Sequence, residues 1–176
     1  MHMWLRSFFI PLANSGSGTM AAATQSMGSL PSGIQICTTA PDILYLPELV
    51  FGGLVWILVA STLVKPENPQ GWVMFVSVFC FVMTLLWLII FACGGHKNRS
   101  SWATADFIYH LIAAMFYLSA SVPLASVTIN MKNDTAQSIY PFKYYQIDIA
   151  SVVFSYIATL LYFIHCILSA VRWKSF

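Results

Sequence analysis

The chain has 176 residues, of which 59% are hydrophobic and only 8% are charged, and its mean hydropathy is +0.75. A soluble domain spends about a quarter of its residues on charge, so this composition excludes a soluble globule and indicates a surface that faces lipid. The formal net charge of +2 is too small to indicate nucleic acid as a partner.

Residues 1–35 are predicted to form a disordered N-terminal tail, because residues 14–33 are rich in Ser, Gly, Ala and Thr. The apolar run after Arg6 resembles a signal peptide, but it is short and Pro11 interrupts it, so we predict no cleavage. Met20 is a second plausible start, which would make residues 1–19 an upstream extension.

Four apolar segments follow, each long enough to cross a bilayer as a helix. They cover residues 43–64, 70–93, 103–129 and 146–171. Pro123 lies well inside the third segment and predicts a kink or a local break there. The longest loop is expected at 130–145. The sequence therefore predicts an all-α membrane protein, a bundle of four transmembrane helices.

Four spans place both termini on one side of the membrane. The termini and the middle loop carry Arg6, Lys97, Arg99, Arg172 and Lys174, and the other side carries Lys65, Lys132 and Lys143. This excess of positive charge favours cytoplasmic termini. Asn133, in an Asn-Asp-Thr sequon, would then face outside as a candidate N-glycosylation site, whereas the sequon at Asn98 would face the cytoplasm.

Ionisable residues within the spans are functional candidates by default. They are Glu48, Asp106, His110, Asp148 and His165. One interpretation that stays open is a small transporter or channel that uses Glu48, Asp106 and His110. In it these side chains would form a metal site, a proton relay or a substrate carboxylate. We favour polar packing instead, in which Glu48, Asp106, His110 and His165 neutralise one another in the cytoplasmic half. No Cys/His ligand cluster or catalytic spacing is evident, so the sequence assigns no catalytic, cofactor or metal residues.

Small residues recur at helical spacing and allow helices to approach closely. The predicted packing positions are Gly52, Gly53, Ser121, Ala125, Ser151, Ser155 and Thr159. We expect them to serve contacts within the bundle, with self-association as the alternative. Cys80 is expected to fill space in a helix. Cys37 and Cys93 lie near predicted membrane borders and are candidates for palmitoylation, against unmodified thiols as the alternative.

Several stretches together resemble a known family. They are LPSG (30–33), ELVFGGLVWILVAS (48–61), QGWVMFVSV (70–78), FYLSASV (116–122), VFSYIATLLY (153–162) and RWKS (172–175). From about residue 20 to the end, the chain resembles the MAL (myelin and lymphocyte protein) family of MARVEL-domain tetraspan proteolipids. Residues 1–19 and the final Phe176 depart from the family pattern. The resemblance implies that residues 36–176 form a MARVEL domain with cytoplasmic termini.

The resemblance also implies a function. Members of this family partition into membrane rich in cholesterol and glycosphingolipids and act in apical transport, T-cell membrane traffic and compact myelin. We therefore expect a non-enzymatic organiser of ordered membrane without a cofactor, whose partners are these lipids and cargo membrane proteins. Its expected locations are the plasma membrane, apical or myelin, and Golgi or endosomal carriers.

The family's C-terminal sorting segment maps to Arg172, Trp173, Lys174 and Ser175. Charge alone predicts that Arg172 and Lys174 lie at the anionic cytoplasmic leaflet, with Trp173 among the headgroups. A generic membrane-anchoring flank is the alternative to a sorting signal.

Overall fold

The structure is a computed structural model that describes residues 33, 40–65, 67–95, 100–136 and 141–175. A short 3-10 turn, Asp42–Leu44, leads into four helices: α1 (Tyr45–Ser61), α2 (Glu67–Ala92), α3 (Ser100–Ala136) and α4 (Phe142–Ser175). All four are long and apolar enough to cross a membrane. The predicted all-α bundle of four transmembrane helices is confirmed, and the protein is a multi-pass membrane protein. The predictions for the N-terminal tail, Cys37 and Asn98 lie outside the described residues.

Three helices extend beyond the predicted spans, and α2 begins at Glu67 rather than at 70. α3 continues to Ala136 rather than ending at 129, and α4 begins at Phe142 rather than at 146. The predicted spans end where the side chains become polar, but a helix satisfies its backbone hydrogen bonds internally and continues past that point. α3 also continues across Pro123, so the predicted local break does not occur.

The helices form a ring in which each one packs on two neighbours, in the order α1, α2, α3, α4 and back to α1. The interior is built from small and aromatic side chains of all four helices. Its fully or nearly buried members include Val55, Val59, Val76, Cys80, Ala113, Tyr117, Ala158 and Tyr162. Large apolar side chains such as Ile57, Phe79, Met115 and Leu160 point outward. Large apolar side chains on the outside of the bundle are what a protein surrounded by lipid requires.

The predicted packing positions lie at or near helix contacts. A Cβ atom on Gly52 would lie 2.8 Å from the Tyr117 hydroxyl oxygen, and one on Gly53 would lie 3.3 Å from the Phe81 ring. The hydroxyl oxygens of Ser121 and Thr159 lie 3.3 Å apart, which joins α3 to α4.

The remaining three positions belong to α3 and α4. Ser151 and Ser155 are buried, and each hydroxyl donates a hydrogen bond to a carbonyl of its own helix. Ala125 is half-buried and lines a groove between α3 and α4. Self-association stays a prediction.

Candidate functional site

A set of polar side chains, which we call the polar cluster, fills one end of the bundle. Its members are Asp42, Tyr45, Glu48, Asp106, His110, His165, Ser169 and Arg172. Arg172 is 2% exposed and the others are fully buried. α1 and α3 begin at the end of the bundle where α4 finishes, so the first turns of two helices meet the last turns of the third. The four predicted packing residues Glu48, Asp106, His110 and His165 all belong to this cluster.

The outermost part of the polar cluster is an ion-paired network around Arg172. Its Nη1 atom donates to both carboxylate oxygens of Asp42, at 2.9 and 2.7 Å, and its Nη2 atom donates to Oδ2 of Asp106 at 2.7 Å. One guanidinium therefore joins the entry to α1, the first turns of α3 and the end of α4. A planar fork of donors is suited to holding two carboxylates at once.

Asp106 is the most heavily hydrogen-bonded carboxylate of the polar cluster. Besides Arg172, it accepts hydrogen bonds from the Tyr45 hydroxyl at 2.5 Å and from the Ser169 hydroxyl at 2.6 Å. Nδ1 of His110 lies 2.8 Å from the main-chain carbonyl oxygen of Asp106 and 3.2 Å from its Oδ1 atom. These contacts keep Asp106 and His110 in fixed orientations although both are surrounded by apolar helices.

The inner part of the polar cluster consists of Glu48 between two histidines. Nδ1 of His165 lies 2.9 Å from Oε1 of Glu48, and Nε2 of His110 lies 3.5 Å from Oε2 of Glu48. The two imidazole rings stack with their centroids 3.6 Å apart and their planes at 30°. Glu48 Oε2, His110 Nε2 and His165 Nε2 are buried without a hydrogen-bond partner. These three residues are the members of the polar cluster that could hold a cation.

The position of Arg172 differs from the sequence prediction. The prediction placed its guanidinium at the leaflet surface, whereas the structure buries it against Asp42 and Asp106. Because the preceding turns of α4 direct Arg172 inward, the attraction of two buried carboxylates replaces that of lipid headgroups. Trp173 and Lys174 are exposed, and Trp173 stacks on Phe107. The Ser175 hydroxyl donates to the carbonyl oxygen of Arg172.

Asp148, the remaining ionisable candidate, lies at the opposite end of the bundle. Its Oδ2 atom accepts a hydrogen bond of 2.6 Å from the Gln70 amide, whose oxygen accepts one from the Thr62 hydroxyl. This small group joins α1, α2 and α4 but contains one carboxylate and no cationic partner among its hydrogen bonds. Asp148 is therefore separate from the polar cluster.

A layer of hydroxyl groups lies closer to the middle of the bundle. The Thr84 hydroxyl is 2.7 Å from the hydroxyls of both Tyr109 and Tyr162, and the Tyr109 hydroxyl lies 3.0 Å from the carbonyl oxygen of Cys80. Cys80 itself is fully buried in the apolar core. The layer links α2, α3 and α4 without charge.

Sequence reasoning missed Asp42, Tyr45 and Ser169 as partners in the site. A signal for them was present in the spacing of the polar residues. Three residues separate each member of the first set from the next, Asp42, Tyr45 and Glu48. The second set has spacings of four and then three residues, His165, Ser169 and Arg172. Such spacing places side chains on one face of a helix. A search for polar side chains along a single helix face would have found both sets.

The modification candidates have different positions. Cys93 is exposed just after the end of α2, and its palmitoylation stays a prediction. Asn133 lies near the end of α3, but its side chain lies outside the described residues. Its glycosylation also stays a prediction.

Comparison with known proteins gives a consistent picture. Residues 36–168 match the family model "MARVEL: Membrane-associating domain". Over 157 residues the chain is 54% identical to the myelin and lymphocyte proteins of Canis lupus familiaris and of Homo sapiens, which covers 89% of this chain and 99% of each relative. It is 32% identical to the human CKLF-like MARVEL transmembrane domain-containing protein 8, over 78% of this chain and 76% of that protein. No solved structure matches.

Proposed function

This chain belongs to the MARVEL family and, within it, to the myelin and lymphocyte protein group, and we propose that it is a non-enzymatic organiser of ordered membrane. It gathers lipid rich in cholesterol and glycosphingolipids, together with cargo membrane proteins. This activity serves vesicular and apical traffic, the organisation of myelin membrane, or both. The proposed locations are the plasma membrane and Golgi or endosomal carriers, with both termini in the cytoplasm.

The observation that carries this proposal is the lipid-facing exterior of the bundle. Large apolar side chains are exposed on every helix, among them Val50 of α1, Phe75 of α2, Leu118 of α3 and Phe163 of α4. The polar cluster is turned inward and buried. A molecule with such a surface makes most of its contacts with lipids and with other membrane helices. The names of the relatives, which refer to myelin and lymphocytes, also support a membrane role.

The alternative is a small transporter or channel that uses Glu48, Asp106 and His110. Each of these side chains is fully buried, and Asp106 uses its oxygens for hydrogen bonds within the protein. A transport site has to exchange its ligand with water, and the packing around these residues leaves no exposed polar atom for that exchange. The geometry therefore favours the organiser.

Phase partition in vesicles tests the proposal. The full chain carries a fluorescent label on an added peptide tag and is reconstituted into giant vesicles with coexisting phases made of sphingomyelin, cholesterol and an unsaturated phosphatidylcholine. We expect enrichment in the ordered phase relative to an unrelated four-span protein. Exclusion of the full chain from the ordered phase would contradict the organiser role.

The same preparation separates the two functions. Proton and solute flux are recorded across vesicles that carry the wild-type chain and the Glu48→Gln variant. We expect background flux from both. Flux through the wild type that disappears in Glu48→Gln, but persists in Asp148→Asn at the other end of the bundle, would support the transporter instead.

A further inference from the structure

We propose that Glu48, His110 and His165 form a binding site for one divalent transition-metal ion of the zinc class. The three residues come from α1, α3 and α4, and one donor atom from each lies within 4.8 Å of the others. The site is distinct from the proposed lipid-organising function and does not depend on it.

The first argument is the charge of the polar cluster. It contains three carboxylates, those of Asp42, Glu48 and Asp106, and only Arg172 is permanently positive. With neutral histidines, the buried polar cluster therefore carries a net charge of minus two. Charge buried in a low-dielectric interior is strongly unfavourable unless it is compensated. A divalent cation bound among neutral imidazoles would bring the net charge to zero.

Protonation of both histidines would also balance the charge, but it conflicts with the ring geometry. The imidazole rings of His110 and His165 stack at a centroid distance of 3.6 Å, so two imidazolium cations would be in direct contact. Like charges at such a distance repel each other strongly in a low dielectric. Two neutral imidazoles that bind one cation avoid this repulsion, and binding would move the rings apart, because two imidazoles on one tetrahedral ion hold their centroids roughly 5 Å from each other.

The second argument is that three atoms able to bind a metal lack a hydrogen-bond partner. Glu48 Oε2, His110 Nε2 and His165 Nε2 are all buried and make no hydrogen bond. Nε2 of His110 and Oε2 of Glu48 are 3.5 Å apart. Tetrahedral zinc with bonds of about 2.0–2.1 Å holds its donors roughly 3.4 Å apart. A ring nitrogen of His165 completes the set, since one ligand atom from each of the three residues lies within 4.8 Å of the others.

The third argument is the orientation of His110. Its Nδ1 atom lies 2.8 Å from the main-chain carbonyl oxygen of Asp106. A carbonyl accepts a hydrogen, so Nδ1 carries a proton, and in the neutral imidazole Nε2 directs its lone pair toward Glu48. Metal-binding histidines are typically fixed by such a bond on the far ring nitrogen. Asp106 is itself held by Tyr45, Ser169 and Arg172, so the orienting group is rigid.

The donor chemistry indicates which metal would bind. Two imidazoles and one carboxylate suit zinc and its transition-metal neighbours, whereas calcium and magnesium prefer oxygen ligands throughout. The described residues supply three ligands, all of them fully buried. A bound ion would tie α1, α3 and α4 together at the end of the bundle where the chain ends.

Metal content is measured on the full chain, expressed in zinc-supplemented medium, purified in mild detergent and free of any polyhistidine tag. We expect about one zinc ion per chain by elemental analysis. Cobalt exchanged for zinc should give the intense visible absorption of a tetrahedral or five-coordinate site. Heating in phenanthroline should lower the Tm of the wild type by several degrees.

Three variants and one control test the ligands. Glu48→Gln, His110→Gln and His165→Gln should each lose the zinc and the cobalt spectrum, and phenanthroline should no longer change their Tm. Asp148→Asn removes a buried carboxylate at the opposite end and should retain both. If a ligand variant does not fold, the wild-type zinc content and cobalt spectrum decide the question alone. A folded wild-type chain that contains no zinc and gives no cobalt spectrum overturns the proposal, as does a Glu48→Gln variant with full zinc content.

Discussion

Arg172 is the residue on which the outer part of the polar cluster depends. It is the cation between Asp42 and Asp106, and it is 2% exposed. Its neighbour Lys174 is also basic and belongs to the same terminal segment, yet Lys174 is exposed. The two basic residues of the segment therefore have different physical roles, and single substitutions can separate them.

Arg172→Ala should lower the free energy of unfolding by about 3–5 kcal/mol, because it leaves two buried carboxylates without their cation. Lys174→Ala should change it by no more than about 0.5 kcal/mol, as is usual for an exposed side chain. Thermal unfolding followed by circular dichroism in detergent measures both. If the terminal segment is a sorting signal, Lys174→Ala should reduce surface delivery in epithelial cells without a change in Tm.

The control for delivery is Lys143→Ala, an exposed lysine at the opposite end of the bundle. It should leave both stability and delivery unchanged. An Arg172→Ala variant as stable as the wild type would contradict the structural role of this ion pair. Delivery unaffected by Lys174→Ala would leave this lysine with membrane anchoring alone.

At the scale of the helices, α1 comes close to α3 where Gly52 meets Tyr117. The Tyr117 ring is 1% exposed and stacks on Tyr162 at 5.2 Å, so it has little freedom to move. Its hydroxyl is buried without a hydrogen-bond partner and faces the position of a Cβ on Gly52 at 2.8 Å. The next atom of the ring, Cζ, is at an ordinary contact distance of 3.7 Å.

Gly52→Ala should therefore destabilise the bundle by about 1–3 kcal/mol, the usual cost of an overpacked contact. The double variant Gly52→Ala with Tyr117→Phe should recover most of this loss, because the phenylalanine lacks the clashing oxygen. Thermal unfolding of the two single variants and the double variant completes a double-mutant cycle.

The matched control is Gly71→Ala in α2, where a Cβ would meet nothing within 4 Å. That substitution should be neutral or should stabilise the chain by up to about 1 kcal/mol, since alanine favours a helix more than glycine does. Equal effects of the Gly52 and Gly71 substitutions would show that α1 and α3 do not approach as the structure has them.

The presence and order of the helices could be predicted from the sequence, but their ends could not. A run of some twenty apolar residues has few alternatives to a transmembrane helix. α3 ends at Ala136 and α4 begins at Phe142, and both positions lie outside the apolar runs. Hydropathy carries no information there about where a helix ends. Helix continuity at Pro123 likewise depends on what packs around it, which the local sequence does not specify.

Considered as a whole, the bundle has the polar cluster at one end and a layer of hydroxyl groups near its middle. At the other end, the uncharged amide of Gln70 pairs with Asp148. Glu48, Asp106, His110 and His165 could be predicted as a group, because ionisable residues at membrane depth require partners. Asp42 and Arg172 were not assigned to that group, because each is near the end of a span, where a helix dipole or a lipid headgroup explains a charge equally well. Their spacing from Glu48 and His165 was the one local signal that both side chains point inward.

The ion pair between Asp42 and Arg172 also constrains topology, since it fixes the start of the first span and the end of the fourth at the same end of the bundle. With cytoplasmic ends, α3 carries Asn133 to the outer side, and the sequence predicts that the sequon at Asn98 faces the cytoplasm. Expression with microsomes should therefore give one glycan, removed by Asn133→Gln and unaffected by Asn98→Gln. An epitope tag at the C-terminus should be digested by protease added outside intact microsomes, because that face corresponds to the cytoplasm. A tag that is protected until detergent is added, or a glycan on Asn98, would show that the orientation is inverted and that the polar cluster lies near the outer leaflet.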